Sequence, residues 1–249
     1  MTGTPELKGQ VALVTGAAKR IGHAIALGLA EAGADVAVHY RRAGDEAAAL
    51  CDSIRAKGRR AWAIQADLSE AAEAEALFSQ VVDACDHVDI LVNNASIFPE
   101  NTILDVTPED LHASMAVHAI APLLLARRMA ALGRSGCIVN LLDARVVDYD
   151  RIHAAYHLSK RALMSLTSML ALELAPSIRV NAVAPGLILP PEGKPADYLA
   201  SLAHTNPLQA YGGPEDIASA VLFLVTSRFV TGQVIYVDGG RHLKGRVYG

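Results

Sequence analysis

Seven short β-rich runs, separated for the most part by longer alanine- and leucine-rich stretches, constrain this 249-residue chain more than any other feature. The runs are VALVT at 11–15, VAVHY at 36–40, AWAIQ at 61–65, DILVN at 89–93, CIVNL at 137–141, RVNAV at 179–183 and VIYVD at 234–238. Repeated strand–helix–strand units predict a parallel sheet with right-handed crossovers. The apolar character of the runs suits strands covered on both faces. The expectation is one α/β domain over 1–249, a doubly wound parallel seven-stranded sheet. No linker or low-complexity segment divides it. The irregular piece is 185–213, with Pro185, Gly186, Pro190, Pro191, Pro195, Pro207, Gly212 and Gly213. A long Pro/Gly-rich insert in a compact domain reads as a substrate loop, with an inert surface excursion as the alternative.

The first strand runs into Thr15-Gly16-Ala17-Ala18-Lys19-Arg20-Ile21-Gly22 and then a helical pattern. Small residues between strand and helix let backbone N–H groups approach a pyrophosphate. Arg20 stands where a glycine would be common. At the end of the second strand, a carboxylate would suit the ribose hydroxyls of NAD. The chain has His39-Tyr40-Arg41-Arg42 there, and two guanidiniums suit a 2′-phosphate. Asp35 is too early to serve. Asp67, after the third strand, is a candidate acceptor for an adenine amino group. Asn93-Asn94-Ala95 follows the fourth strand, at the edge where ligands bind. These positions predict NADP(H).

A helix over 154–174 would put Tyr156 and Lys160 at i and i+4 on one face. An ammonium there is expected to lower the tyrosine pKa and make it a proton donor near neutral pH. Asp143 lies in register with them after the fifth strand. A carboxylate there repels a developing anion unless it is protonated, and favours a cationic group. Phe98 fits a core position and a stacking platform equally well. His118 reads as a hydrogen-bonded structural histidine, with a proton relay as the alternative. Met164 and Met169 read as core or subunit-interface packing.

Composition excludes other classes. A net charge of −4 and pI near 6.1 leave no basic footprint for nucleic acid. The 52% apolar content supports one core, yet no apolar run is long enough to cross a bilayer. Cys51, Cys85 and Cys137 are dispersed, odd in number and without metal-ligand spacing, which fits a reducing cytoplasm and no metal. The polar opening MTGTPELKGQ lacks an apolar signal core.

In order, the TG…IG turn, NNA, Tyr-x-x-x-Lys, the N-x-V-x-PG stretch and the terminal VDGG resemble the short-chain dehydrogenase/reductase family over nearly the whole chain. The resemblance implies a single-domain Rossmann fold, a nicotinamide cofactor, a small-molecule substrate and a homotetramer. Asp143 stands at the family's usual serine and His118 at its usual asparagine. With Ala17-Ala18-Lys19-Arg20, the basic His39-Tyr40-Arg41-Arg42, Asn93 to Phe98, and Gly240-Arg241-His242-Leu243, these departures resemble the pteridine and dihydromonapterin reductases. The resemblance implies cofactor contacts at Gly16, Arg20, Ile21, His39, Tyr40, Arg41 and Arg42. Further contacts are implied at Asp67, Leu68, Asn94, Ala95, Ser96, Tyr156, Lys160, Pro185, Gly186 and Ile188. Arg20, Ser96, Phe98, Asp143 and Tyr156 would meet a pterin or folate, with Asp143, Tyr156 and Lys160 catalytic. Ile188 stands where the protozoal pteridine reductases have a serine. A carbonyl or 3-oxoacyl reductase is the competing reading, and a non-catalytic NADP(H) sensor is a third.

Overall fold

The computed structural model describes residues 7–191, 193–195 and 197–246. The first six residues of the polar opening, the last three of the chain, and residues 192 and 196 of the insert lie outside it. Seven parallel strands are present: β1 (Val11–Val14), β2 (Asp35–Tyr40), β3 (Ala61–Gln65), β4 (Ile90–Asn93), β5 (Gly136–Leu141), β6 (Ile178–Pro185) and β7 (Val234–Val237). They form one sheet in the order β3-β2-β1-β4-β5-β6-β7. Among the described residues eight α-helices connect them: α1 (Arg20–Glu31), α2 (Gly44–Ala56), α3 (Ala71–Cys85), α4 (Pro108–Met115), α5 (Ala121–Ala131), α6 (Ala154–Glu173), α7 (Tyr198–Leu202) and α8 (Pro214–Thr226). A π-helical segment, Ala116–Ile120, joins α4 to α5.

Alternate residues of the fully buried strand β1 feed two different cores. Ala12 and Val14 pack with Ile25 and Leu29 of α1, Leu50 of α2 and Val221 of α8. Val11 and Leu13 pack with Leu77 and Phe78 of α3, and with Leu125 and Met129 of α5. This two-sided burial is why β1 is apolar at every position. All seven predicted strands form, with ends shifted by at most two residues. The insert is less irregular than expected, since α7 and the 3-10 turn Ala203–Thr205 lie within it. No helix among the described residues is long and apolar enough to cross a membrane.

Parallel pairing brings the carboxyl ends of all strands to one edge. The strand order reverses between β1 and β4, and ligands of such sheets bind outside that switch point. Every predicted site residue lies on this edge or on the elements beside it.

Candidate active site

The turn after β1 is closed by hydrogen bonds to neutral side chains. Thr15 Oγ1 accepts from the backbone N–H groups of Asn94 and Ala95, at 2.9 and 3.0 Å. Asn94 Nδ2 donates to the carbonyls of Thr15 and Gly16, at 2.8 and 3.0 Å. The turn therefore cannot move without the end of β4. Gly16 has φ +60°, and a Cβ there would lie 2.9 Å from Ala95 Cα. A Cβ on Gly22 would meet the Gly16 carbonyl oxygen and lie 2.5 Å from Asn94 Nδ2. Only glycines fit both places. Arg20 also has positive φ, +59°, so glycine would indeed be the relaxed residue there. Its guanidinium donates to the Pro190 carbonyl at 2.7 Å, tying the turn to the insert.

His39 corrects the sequence reading. Its imidazole is buried beneath the turn, where Nδ1 accepts the Gly16 N–H at 3.0 Å and Nε2 faces the Ala66 carbonyl at 3.1 Å. Both nitrogens are engaged by the protein. Burial pushes its pKa down to about 4. It is a neutral strut for the turn, not part of a basic cluster. The exposed cations at the end of β2 are Arg41 and Arg42 alone, with Tyr40 half-buried beside them. Asp35 pairs with Arg60 at 2.7 Å, away from the edge. Asp67 Oδ1 accepts from the Ser69 N–H and hydroxyl, and Oδ2 lies 4.0 Å from Arg41. Burial raises this carboxyl, but the Ser69 bonds and the Arg41 and Arg42 charges outweigh it and hold it low. Leu68 is buried beside it. Gly186 packs so closely on Asp238 that a Cβ would lie 2.6 Å from its Cα, and Ile188 is buried behind the same loop. A close-approach turn, two exposed guanidiniums and a carboxylate on one edge fit a dinucleotide with a 2′-phosphate.

Past the switch point the site changes character. Tyr156 donates its hydroxyl proton to Asp143 Oδ2 at 2.8 Å, while Asp143 Oδ1 accepts the Arg145 N–H at 2.7 Å. Lys160 is buried and donates to the Leu141 carbonyl at 2.7 Å, with its ammonium 5.7 Å from the Tyr156 ring centre. The sequence predicted a lowered tyrosine pKa; the structure has the reverse. Burial, and then the Asp143 carboxylate at hydrogen-bond distance, push Tyr156 well above its ordinary value. Burial is the larger cause, and the carboxylate acts in the same direction. Lys160 moves the other way: burial lowers it to about 8 against the opposing pull of Asp143.

His118 is a structural anchor in this arrangement. Ser159 Oγ donates to the Tyr156 carbonyl at 2.8 Å, so at 2.7 Å it must accept from His118 Nδ1–H. His118 Nε2 then accepts from the Ile97 N–H at 3.1 Å and the Ser96 hydroxyl at 2.9 Å. Burial, helped by the nearby Lys160 charge, lowers its pKa far below the usual value, consistent with this neutral tautomer. One ring thus pins the loop after β4 to α6, and Ser96 turns its hydroxyl inward. Phe98 is 48% exposed and not in the core. It stacks on His153 at 3.8 Å and meets the Tyr156 ring edge-on at 4.7 Å. The ring thus lies half-exposed beside the Tyr156–Asp143 pair.

Ser159, Arg145 and His153 were not singled out from the sequence. Ser159 stands three residues after Tyr156, one helical turn away, which was a readable signal. The His153–Phe98 stack is long-range and left none.

The family model described as Enoyl-(Acyl carrier protein) reductase matches residues 16–242. An uncharacterized oxidoreductase of Methylorubrum extorquens is 38% identical over 94% of this chain and 98% of its own. The 3-oxoacyl-(acyl-carrier-protein) reductase FabG of Staphylococcus epidermidis is 36% identical over 93% of this chain and 98% of its own. Among solved structures, FolM Alternative dihydrofolate reductase 1 from Brucella suis, in complex with NADP, superposes with TM-score 0.90 at 36% identity, covering 97% of both chains. A short chain dehydrogenase from Burkholderia cenocepacia, also in complex with NADP, gives TM-score 0.89 at 37% identity, covering 95% of this chain and 99% of that one. This chain belongs to the short-chain dehydrogenase/reductase family of NAD(P)-dependent oxidoreductases.

Proposed function

We propose that the protein is an NADPH-dependent reductase of a pterin, taking a dihydropterin or dihydrofolate to the tetrahydro form. The observation that carries this reading is the 2.8 Å hydrogen bond from Tyr156 to Asp143. Reduction of a carbonyl would build negative charge beside that carboxylate, and reduction of a ring C=N bond needs a proton delivered to nitrogen. The Asp143 carboxylate opposes the first and favours the protonated, cationic form of the second. The FolM neighbour supports the same substrate class.

When bound, NADPH supplies the hydride. Arg41 and Arg42 would grip its 2′-phosphate, the N–H groups after Gly16 its pyrophosphate, and Asp67 its adenine. Lys160 and the Pro185–Ile188 loop would hold the nicotinamide end. Tyr156 keeps its proton at neutral pH and is the general acid. Lys160 offsets the charge that Tyr156 acquires when the proton leaves. Asp143 orients the phenol and faces the substrate cation. Phe98 offers the flat ring a face, worth about 0.5–1.5 kcal/mol beyond burial. Arg20 already links the phosphate turn to the insert, so in this reading 185–213 closes over substrate as a loop. The proposal includes a homotetramer, for which the exposed Met169 and Leu172 of α6 supply an apolar face.

A second reading, an NADPH-dependent 3-oxoacyl reductase, is supported by the FabG relatives. One assay separates the two and tests for a non-catalytic sensor. Protein and NADPH are mixed with dihydrobiopterin, dihydrofolate or a panel of ketones and 3-oxoacyl thioesters while nicotinamide absorbance is followed. Oxidation with pterins alone is expected. Oxidation with the thioester alone supports the second reading, and none with any substrate supports the sensor.

A further inference from the structure

We propose that Asp150, His153 and His157 form a binding site for one divalent transition-metal ion of the zinc type, beside the catalytic tyrosine. His153 caps α6 and His157 stands in its first turn, so the imidazoles are i and i+4 on one face. Their side chains are only 9% and 7% exposed. His153 Nδ1 lies 2.9 and 3.0 Å from the two Asp150 carboxylate oxygens. His157 Nε2 lies 3.4 Å from Oδ2, and all three ligand atoms fall within 4.8 Å of one another.

Tetrahedral zinc holds nitrogen and oxygen donors at about 2.0–2.2 Å, which places neighbouring donors roughly 3.3–3.5 Å apart. The observed separations are close to that spacing before any ion is present. The carboxylate is fixed from outside as well. Oδ1 accepts the Ile152 N–H at 3.0 Å and Oδ2 accepts from Arg145 at 2.9 Å, the kind of outer support that orients metal ligands. The Asp150 N–H donates to His157 Nε2 at 3.2 Å, so that nitrogen carries no proton, and the ion would replace the amide as the partner of its lone pair. His153 Nδ1 now gives its proton to Asp150. In the loaded state the ion takes that proton's place, and the ring proton sits on Nε2. Arg145 shares the carboxylate and repels a cation, so micromolar affinity is expected rather than that of a structural zinc. The dispersed cysteines, from which no metal was expected, take no part.

The location gives the ion a consequence. His153 stacks on Phe98, and Asp150 is one of the charges that raise Tyr156. A cation here would stiffen the Phe98 face and offset the Asp150 field at the proton donor.

The full-length protein, stripped with a chelator, is titrated with Zn²⁺ by calorimetry and with Co²⁺ by visible absorption. One ion per chain and an intense tetrahedral cobalt band are expected. His157→Gln and Asp150→Asn should each weaken binding at least about tenfold while keeping the parent's circular dichroism. Should either variant fail to fold, imidazole nitrogen shifts in the parent decide: His153 and His157 should move with Zn²⁺ and the other histidines should not. No saturable binding, a site that survives both substitutions, or shifts at other histidines would overturn the proposal. None of these readouts depends on which substrate the enzyme reduces.

Discussion

The turn after β1 and the cluster after β5 lie on the same sheet edge but are held by different forces. Thr15, Asn94 and a neutral, buried His39 hold the turn with uncharged hydrogen bonds, and glycines supply the close approach. Past the switch point a carboxylate lies at hydrogen-bond distance from a buried phenol and acts on a buried ammonium as well. The first region is shaped to receive charge, and its own charges, Arg41 and Arg42, stay at the rim. The second carries charge inside and, in the proposed function, moves a proton. Damage to the turn should therefore cost binding or stability, and damage to the cluster should cost turnover.

The largest separation is expected at Tyr156→Phe. The ring stays packed against Phe98 while the proposed proton donor is removed. Turnover should fall by about 10²–10⁴-fold, with NADPH affinity by fluorescence titration unchanged. A near-normal kcat would show that another group donates. At the other end of the edge, Arg41→Ala with Arg42→Ala should raise the KM for NADPH by about ten- to a hundredfold, from the loss of charge-assisted bonds, and spare NADH. Equal use of both cofactors by the unmodified protein would sink the 2′-phosphate assignment.

Gly22→Ala tests the turn without touching any charge. Its methyl has no room between Gly16 and Asn94, so thermal denaturation should show a loss of about 1–3 kcal/mol and NADPH binding should weaken with it. Unchanged stability would mean that the turn is looser than its contacts imply.

A pH series sharpens the same contrast. The folded pKa of His39, about 4, lies below its unfolded value. The unfolded chain therefore binds the extra proton between about pH 6.5 and 4, and stability is lost as pH falls through that window. At most about 3 kcal/mol is involved for this group. Buried, neutral His118 works in the same direction. His39→Asn should flatten the acid limb of Tm against pH. An unaltered limb would assign it to His118 or to carboxylates.

Much of the fold was legible because both faces of the central strands are covered, so a largely apolar run marks a strand directly. The spacing of Tyr156 and Lys160 was legible for a similar reason, being set by one helix. The direction of the tyrosine shift was not. It depends first on the burial of the phenol and then on Asp143, which reaches it from another element. His39 was misread because a histidine beside two arginines looks basic, whereas burial and the Gly16 N–H make it neutral. The stack of His153 on Phe98 joins residues far apart in the chain with no periodic signal between them. Asp150, His153 and His157 do carry a spacing, but it begins outside the helix.

Asp143 is the most direct test of the account. Asn and Ser at this position can both still accept the Arg145 N–H as a cap, so a purely structural role would survive either substitution. We expect Asp143→Asn and Asp143→Ser to lose dihydropterin reduction by about a hundredfold or more, within the range of general acid–base effects, with NADPH binding little changed. Asp143→Ser is expected to gain weak ketone reduction. If Asp143→Ser reduces dihydropterins as fast as the parent, the carboxylate only caps a turn, and the site is that of an NADPH-dependent carbonyl reductase.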